Sequence, residues 1–404
     1  MNFIFISPQF PHTYWNFCDR LRQNGVNVLG IGDAPYDELD GRLKNALTEY
    51  YRVDVPVDHD KLYRAVAYFA FKYGKPDWIE SNNEYWLSED ARLREEFNVT
   101  TGVHPKELEE WQQKSAMKKY YKAAGVPTAR LHHVTDRENL LRFIDTVGFP
   151  VIVKPDTGVG AAATWKLQNL PDVDRFFSEK PDVHYVSEEF ITGNIFSYDV
   201  IVGPKGEILF ESSAIFQPSV ADIVNQGLDM DYWVLREVPE QLRERGRASV
   251  RAFGVQSRFC HLEFFQLDCD RPGLGAKGDF VGLEANMRPA GGYTPDMMDY
   301  AHSTDVYRIW ADMVTYGERR LPENDDQYYC AYAGRRDFHQ YVHTHEEILE
   351  RYGNALCMCE RMPDVLSGAM GQQMYMARLR TEEEVHEMIR FCLLKTDGTV
   401  STLE

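Results

Sequence analysis

No apolar run among these 404 residues approaches the roughly 20 needed to cross a bilayer, and no cationic head precedes the first apolar residues. Met1-Asn-Phe-Ile-Phe-Ile-Ser7 therefore reads as a buried first strand and not as a signal or an anchor. Positive charge is also scarce: 44 Lys and Arg stand against 63 Asp and Glu, a net charge of −19. Such a chain has no general attraction for nucleic acid or for acidic membrane surfaces, so an anionic ligand must be drawn by a local group of cations or by a metal. The 7 cysteines (Cys18, Cys260, Cys269, Cys330, Cys357, Cys359 and Cys392) are odd in number and lack zinc-finger spacing. Reduced thiols and a cytoplasmic setting are expected. There is no Gly-Lys-Ser/Thr phosphate loop, no internal repeat and no low-complexity tract.

What is present is a mixture of apolar β runs and helical periodicities, giving an α/β and α+β multidomain fold class; a chain this long has room for about three domains. Up to residue 110, strands are expected at 3–6, 28–31, 51–55 and 78–80 and helices at 12–23, 61–72 and 84–97, a parallel, Rossmann-like α/β layer. Ligands bind beyond the carboxyl ends of such strands, which singles out Ser7-Pro-Gln-Phe10 and Ser81-Asn-Asn-Glu84; both can equally cap the helices that follow. Residues 111–185 are expected to form a small α+β lobe and 186–320 a larger one. Beyond the acidic turn Pro322-Glu-Asn-Asp-Asp326, strands at 328–333 and 355–359 and helices at 345–352 and 382–394 suggest a small C-terminal α+β appendage over 321–404.

The chemistry-bearing residues fall in a definite order. Lys114 opens a helical run that ends at Gly125. Lys154 closes the apolar strand Val151-Ile-Val-Lys154, directly before a small-residue loop containing Gly158, Gly160 and Ala161, whose backbone N–H groups can approach phosphate oxygens. A plain tight turn would have the same composition. Ser187-Glu188-Glu189-Phe190-Ile191 follows, then Glu263 in His261-Leu-Glu-Phe-Phe265, then Leu283-Glu-Ala-Asn-Met-Arg-Pro-Ala-Gly-Gly292. In an extended strand Glu284, Asn286 and Arg288 share one face while Leu283, Ala285 and Met287 turn to the other. Carboxylate and amide oxygens suit magnesium or manganese, and an arginine beyond them can fork onto a phosphoryl or carboxylate group. A solvated polar strand face would give the same alternation.

This order of elements resembles the ATP-grasp superfamily over roughly residues 1–300, within it the branch of biotin carboxylase, carbamoyl phosphate synthetase and the carboxylate–amine ligases. The resemblance implies an ATP-grasp fold behind an N-terminal pre-ATP-grasp domain, with ATP and Mg2+ (or Mn2+) as cofactors. It implies that Lys114 and Lys154 contact the nucleotide phosphates together with Gly158, Gly160 and Ala161. Glu188, Glu189 and the backbone of Phe190 and Ile191 would form the adenine-side hinge, with Asp199 a further ATP contact. Glu263, Glu284 and Asn286 would hold the metal, and Arg288, with Lys154, would serve the transferred phosphoryl group.

The chain also departs from biotin carboxylase. Its phosphate loop has fewer glycines, and Pro289-Ala-Gly-Gly-Tyr-Thr294 stands where that enzyme carries a bicarbonate motif. The Gly-rich turn instead resembles ligases that join a carboxylate to an amine through an acyl phosphate, releasing ADP and phosphate. A bicarbonate-activating carboxylase or carbamoyl-phosphate-type enzyme, and a non-catalytic ATP-binding regulatory module, remain alternatives. Small-molecule acid and amine partners are expected, with no nucleic acid and no membrane; a homodimer is expected by analogy. Arg258, Arg335 and Arg336 are further candidates, the last two as a clamp on a substrate carboxylate. Tyr293, Trp233 and Phe216 suggest an apolar substrate wall. Ser115-Ala-Met-Lys-Lys119 is a chance likeness to a biotin attachment site, and His343-Thr-His345 with Glu346 reads as a solvated helix start.

Overall fold

The computed structural model describes residues 1–54, 58–158, 163–216 and 227–400; Val55, Gly160 and Ala161, named above, lie outside them. The first layer is a parallel sheet of four strands in the order Glu49–Arg52, Asn27–Gly32, Asn2–Ile6 and Trp78–Glu80. Its central strand, Asn2–Ile6, is buried on both sides because its side chains alternate between two cores. Phe3 and Phe5 pack with Phe17 and Trp310, while Ile4 and Ile6 pack with Leu62, Val66 and Phe69. Helix His59–Tyr73 supplies those last three residues; it starts where the Asp58 side chain accepts from the Asp60 N–H and stops at Gly74, whose φ of 92° only glycine adopts freely.

The small lobe is an antiparallel sheet in the order Leu131–Val134, Tyr185–Glu189, Val151–Pro155, Trp165–Leu167. Val151 and Val153 face helices Arg137–Val147 and Leu170–Glu179 and are wholly buried against Leu140 and Phe176. Strand alternation then sends Ile152 and Lys154 to the opposite face. Glu188 is the register partner of Ile152, so it joins that face. Residues 186–189, expected in the large lobe, pair within this small sheet, and the chain leaves it only after Glu189.

The third sheet has nine strands. Its path runs Phe280–Asn286, Arg258–Leu267, Gly193–Val202, Ala214–Phe216, Met230–Val234, Tyr329–Arg335, Gln373–Leu379 and Leu356–Arg361, with Ile208–Ser212 paired to Gly193–Val202 off that path. The C-terminal strands expected as an appendage thus extend the sheet that carries Glu263 and Glu284, through the pairing of Met230–Val234 with Tyr329–Arg335. Helix Glu382–Leu393 covers them with Val385, Met388 and Ile389.

That continuity decides the fate of the expected arginine clamp. Arg335 is buried, donates through Nε to the Cys392 carbonyl at 2.6 Å and lies over the Tyr341 ring. Arg336, also buried, donates to the carbonyls of Leu228, Ser367 and Gly368. Both guanidiniums tie the end of one strand to the helices and the turn packed beside it, and neither lines the cleft. Arg336→Met should lower stability by about 1–3 kcal/mol, the cost of leaving buried acceptors unmet, without raising KM for ATP. Urea melts and steady-state kinetics on the same preparation check both parts.

Candidate active site

Strands Arg258–Leu267 and Phe280–Asn286 place Glu263 directly opposite Glu284 and His261 opposite Asn286. The register slips by one residue immediately after Glu263, since Phe264 pairs with Gly282. Leu283 is the unpaired residue of this bulge. It is half-buried and lines the cleft, in contrast to the alternation expected from sequence, whereas Ala285 and Met287 do turn into the core. The bulge brings both carboxylates and the Asn286 amide to one side of the sheet edge.

Behind them lies a polar relay that the sequence reading assigned differently. Asp199, expected to touch ATP, has no exposed surface. It accepts from the Ser197 hydroxyl and holds His261 Nδ1 at 2.7 Å, while His261 Nε2 lies 3.2 Å from Glu263. Asp199 is the register partner of His261 and shares its face, but it is wholly covered and reaches the cleft only through that imidazole. Burial opposes charge on His261, but Asp199 and Glu263 hold its pKa up at about 9. The imidazolium in turn holds Glu263 ionised, below the usual carboxylate range despite burial.

Three lysines converge from the small-lobe side. Lys114 Nζ lies 3.2 Å from Glu284 and donates to the Gly158 carbonyl at 3.2 Å. Lys154 and Lys118 each lie 2.6 Å from a different oxygen of Glu188. Lys118 was not singled out for phosphate chemistry, yet it stands four residues after Lys114 on helix Lys114–Ala123, a spacing that shares a face. The expected hinge role of Glu188 is likewise revised: its carboxylate is buried between two ammonium groups and holds their positions. Glu189 is taken by Arg130 at 2.9 Å from Nε. The Phe190 carbonyl accepts from Arg271 at 3.0 Å, and Ile191 packs with Ala129, Leu267 and Val281 as an apolar shelf.

Arg288 donates to Glu84 at 3.1 Å, bringing the fourth strand's loop from the first domain into the cleft. Ser81 from the same loop is instead bound to buried Asp90 at 2.6 Å. One shell deeper, Glu80 pairs with both Arg94 and Arg258 at 2.7 Å, and Arg258 also donates to the Met287 carbonyl at 2.7 Å. Arg258 therefore fixes the backbone next to Arg288 and does not touch the cleft itself. Trp233 and Tyr293 are core residues at 1% exposure, which removes them as substrate walls; Phe216 does line the cleft.

Lys114, Lys118, Lys154, Glu188, Glu263, Glu284, Asn286 and Arg288 border a cavity of about 1320 Å³ that also takes in Ile191. Among the described residues no group of three or more His, Cys, Asp or Glu could hold a metal unaided. Glu263, Glu284 and Asn286 supply a hard-oxygen set that is incomplete alone and suited to a magnesium ion sharing phosphate oxygens. His343 stacks on Phe391 and His345 Nδ1 lies 2.9 Å from the Tyr375 hydroxyl, so this pair serves packing.

Burial raises the Glu188 pKa, but Lys154 and Lys118 outweigh it and bring the pKa from 4.5 to about 2. A depressed folded-state pKa contributes stability that is present above the ordinary value and lost as pH falls through the folded one. Stability should therefore decline between pH 4.5 and about 2, and Glu188→Gln should flatten this part of the profile. Thermal melts of both chains across that window test it.

No family model matches the chain. It is 24% identical over 317 residues to an L-arginine-specific L-amino acid ligase of Bacillus subtilis, covering 76% of this chain and 73% of that relative. Among solved structures, an L-amino acid ligase from Bacillus licheniformis superposes with a TM-score of 0.69 at 14% identity, covering 96% of each chain. The biotin carboxylase domain dimer of Hydrogenobacter thermophilus 2-oxoglutarate carboxylase, in complex with MgADP, ADP and bicarbonate, superposes with a TM-score of 0.66 at 16% identity, covering 97% of this chain and 89% of that one.

Proposed function

We propose that the chain is an ATP-grasp enzyme of the ligase type that joins a small carboxylic acid to an amine through an acyl phosphate, forming an amide or peptide bond. The observation that supports this most strongly is the convergence of Lys114, Lys118 and Lys154 on the bulged strand pair bearing Glu263 and Glu284, with Arg288 at the far side of the same cavity. Cations for phosphates, oxygens for a metal and an arginine for an acid then lie in sequence along one cleft.

In the first step a carboxylate oxygen, steered by Arg288, attacks the γ-phosphorus of ATP. The bond to the β-phosphate oxygen breaks and ADP departs. Charge on the transferred group is met by Lys114 and Lys154, whose positions are fixed beforehand by Glu284 and Glu188. Magnesium bound by Glu263, Glu284 and Asn286 would supply further charge neutralisation at the phosphates. In the second step the amine nitrogen attacks the acyl carbon, phosphate leaves, and the nitrogen gives up a proton. No protein nucleophile is required. The apolar shelf of Ile191 with Ala129 suits the adenine ring, on the proposed hinge of Glu189, Phe190 and Ile191.

Bicarbonate as the acid is the second reading, favoured by the bicarbonate-bound carboxylase domain among the structural neighbours. The two separate in one assay: phosphate release from ATP and magnesium against amino acids, small carboxylic acids or bicarbonate, each with and without an amine. Release that requires an amino acid or organic acid together with an amine is expected. Release with bicarbonate alone would replace the ligase reading, and tight ATP binding without release against any pool would favour a regulatory module. A cytoplasmic setting, where thiols stay reduced, is part of this reading.

A further inference from the structure

Resting on the ligase reading, we propose that the cavity beyond Arg288 receives an acid substrate whose side chain is apolar and uncharged, as in leucine, methionine or phenylalanine. The wall at that end is formed by Phe216, Leu228, Met230, Tyr232, Leu366 and Met370. None of these six side chains carries a formal charge; the charged groups bordering them are Arg288 with its partner Glu84 and, against Phe216, His261 with Glu263. The patch is continuous with the reacting centre. Phe216 stacks on Tyr232 with ring centroids 5.1 Å apart, and its edge meets His261, the partner of Glu263, at 6.3 Å.

The polar atoms in this wall already have partners. The Tyr232 hydroxyl lies 3.2 Å from the Thr294 hydroxyl, and the Met370 carbonyl accepts from the Tyr332 hydroxyl at 2.9 Å. Gly292, with φ of 62°, brings the turn after Arg288 so close that a Cβ there would meet Met370 Cε at 3.0 Å. The methyl end of Met370 thus packs directly on the turn that would cradle the acid. Methionine side chains adapt to varied apolar shapes, so several apolar acids can be accommodated. A guanidinium, ammonium or second carboxylate would lose water against these six side chains, none of which offers an opposite charge, a cost that apolar contact does not offset. The preference differs from that in the name of the arginine-specific relative.

The test is calorimetry on the full chain with magnesium and a non-hydrolysable ATP analogue, titrating leucine, methionine and phenylalanine against arginine, lysine and glutamate. Apolar amino acids are expected to bind at least about tenfold more tightly than charged ones, the scale on which an apolar pocket discriminates. Arginine or glutamate binding as tightly as leucine, or no binding of any apolar amino acid, would overturn the assignment. Leu366→Glu, at a half-buried position, is expected to lose about tenfold in leucine affinity and gain in arginine affinity, and unchanged affinities would likewise count against it. Tight apolar binding in a chain that releases no phosphate from ATP would support the pocket and remove the ligase reading, so the two fail separately.

Discussion

Glu284→Gln and Lys154→Met should each fold as the parent chain does and lose about 10²–10³-fold in ATP turnover, the loss typical of removing one group that meets transition-state charge. Folding should survive because each buried charge left behind keeps a partner. Glu284 is only partly buried, and Lys114 keeps its hydrogen bond to the Gly158 carbonyl when the glutamate becomes an amide. With Lys154 gone, Glu188 still has Lys118 at 2.6 Å. The two variants report on opposite walls of the cleft, one on the large sheet and one on the small. Initial rates of phosphate release, alongside circular dichroism and melting curves, make the comparison; parent-like rates in both would remove this strand pair and this lysine from the site.

Glu80→Gln should destabilise the chain by about 3–5 kcal/mol, because it leaves the buried guanidiniums of Arg94 and Arg258 facing each other with their shared carboxylate neutralised. Burial alone would raise the Glu80 pKa, but the two arginines hold it below the ordinary carboxylate value, so it is charged when folded. Asp90 beside it is driven the other way, well above the usual range, by burial and by the Glu80 charge. The loss should show as a lower urea midpoint with an unchanged slope. Activity should fall too, since Arg258 holds the Met287 carbonyl one residue before Arg288 and small displacements of a positioning group cost up to about 10²-fold. Combining Glu80→Gln with Arg258→Met should cost less than the sum of the single changes, because the second substitution removes one of the stranded charges. Strict additivity would mean that the three groups do not act as a unit.

Much of this site was legible because it rests on local rules. Val151 to Lys154 alternates as a strand with one buried face, and that alone sends Lys154 away from its core. Glu284 and Asn286 share a face for the same reason. Helices 59–73 and 345–352 are signalled by side chains that cap their first turns, Asp58 and Thr344. The sequence holds no signal for the strand at 373–379: Gln373-Met-Tyr-Met-Ala-Arg-Leu379 carries little alternation because both its faces are covered where it lies between Tyr329–Arg335 and the edge strand Leu356–Arg361.

The sequence by itself determined many of the strands and helices and the order in which cations and oxygen ligands occur, since dihedral preference, capping and periodicity act over a few residues. Only the tertiary structure decided which of those residues meet. Glu84 reaches Arg288 across 204 positions, Lys118 and Lys154 close on one carboxylate, and Asp199, Arg335 and Arg336 pass from candidate ligand contacts to buried supports. A charged residue reads the same in sequence whether it lines a cleft or braces one from behind. The difference is made by which strand lies beside it, and that is fixed by packing distant segments into a common sheet.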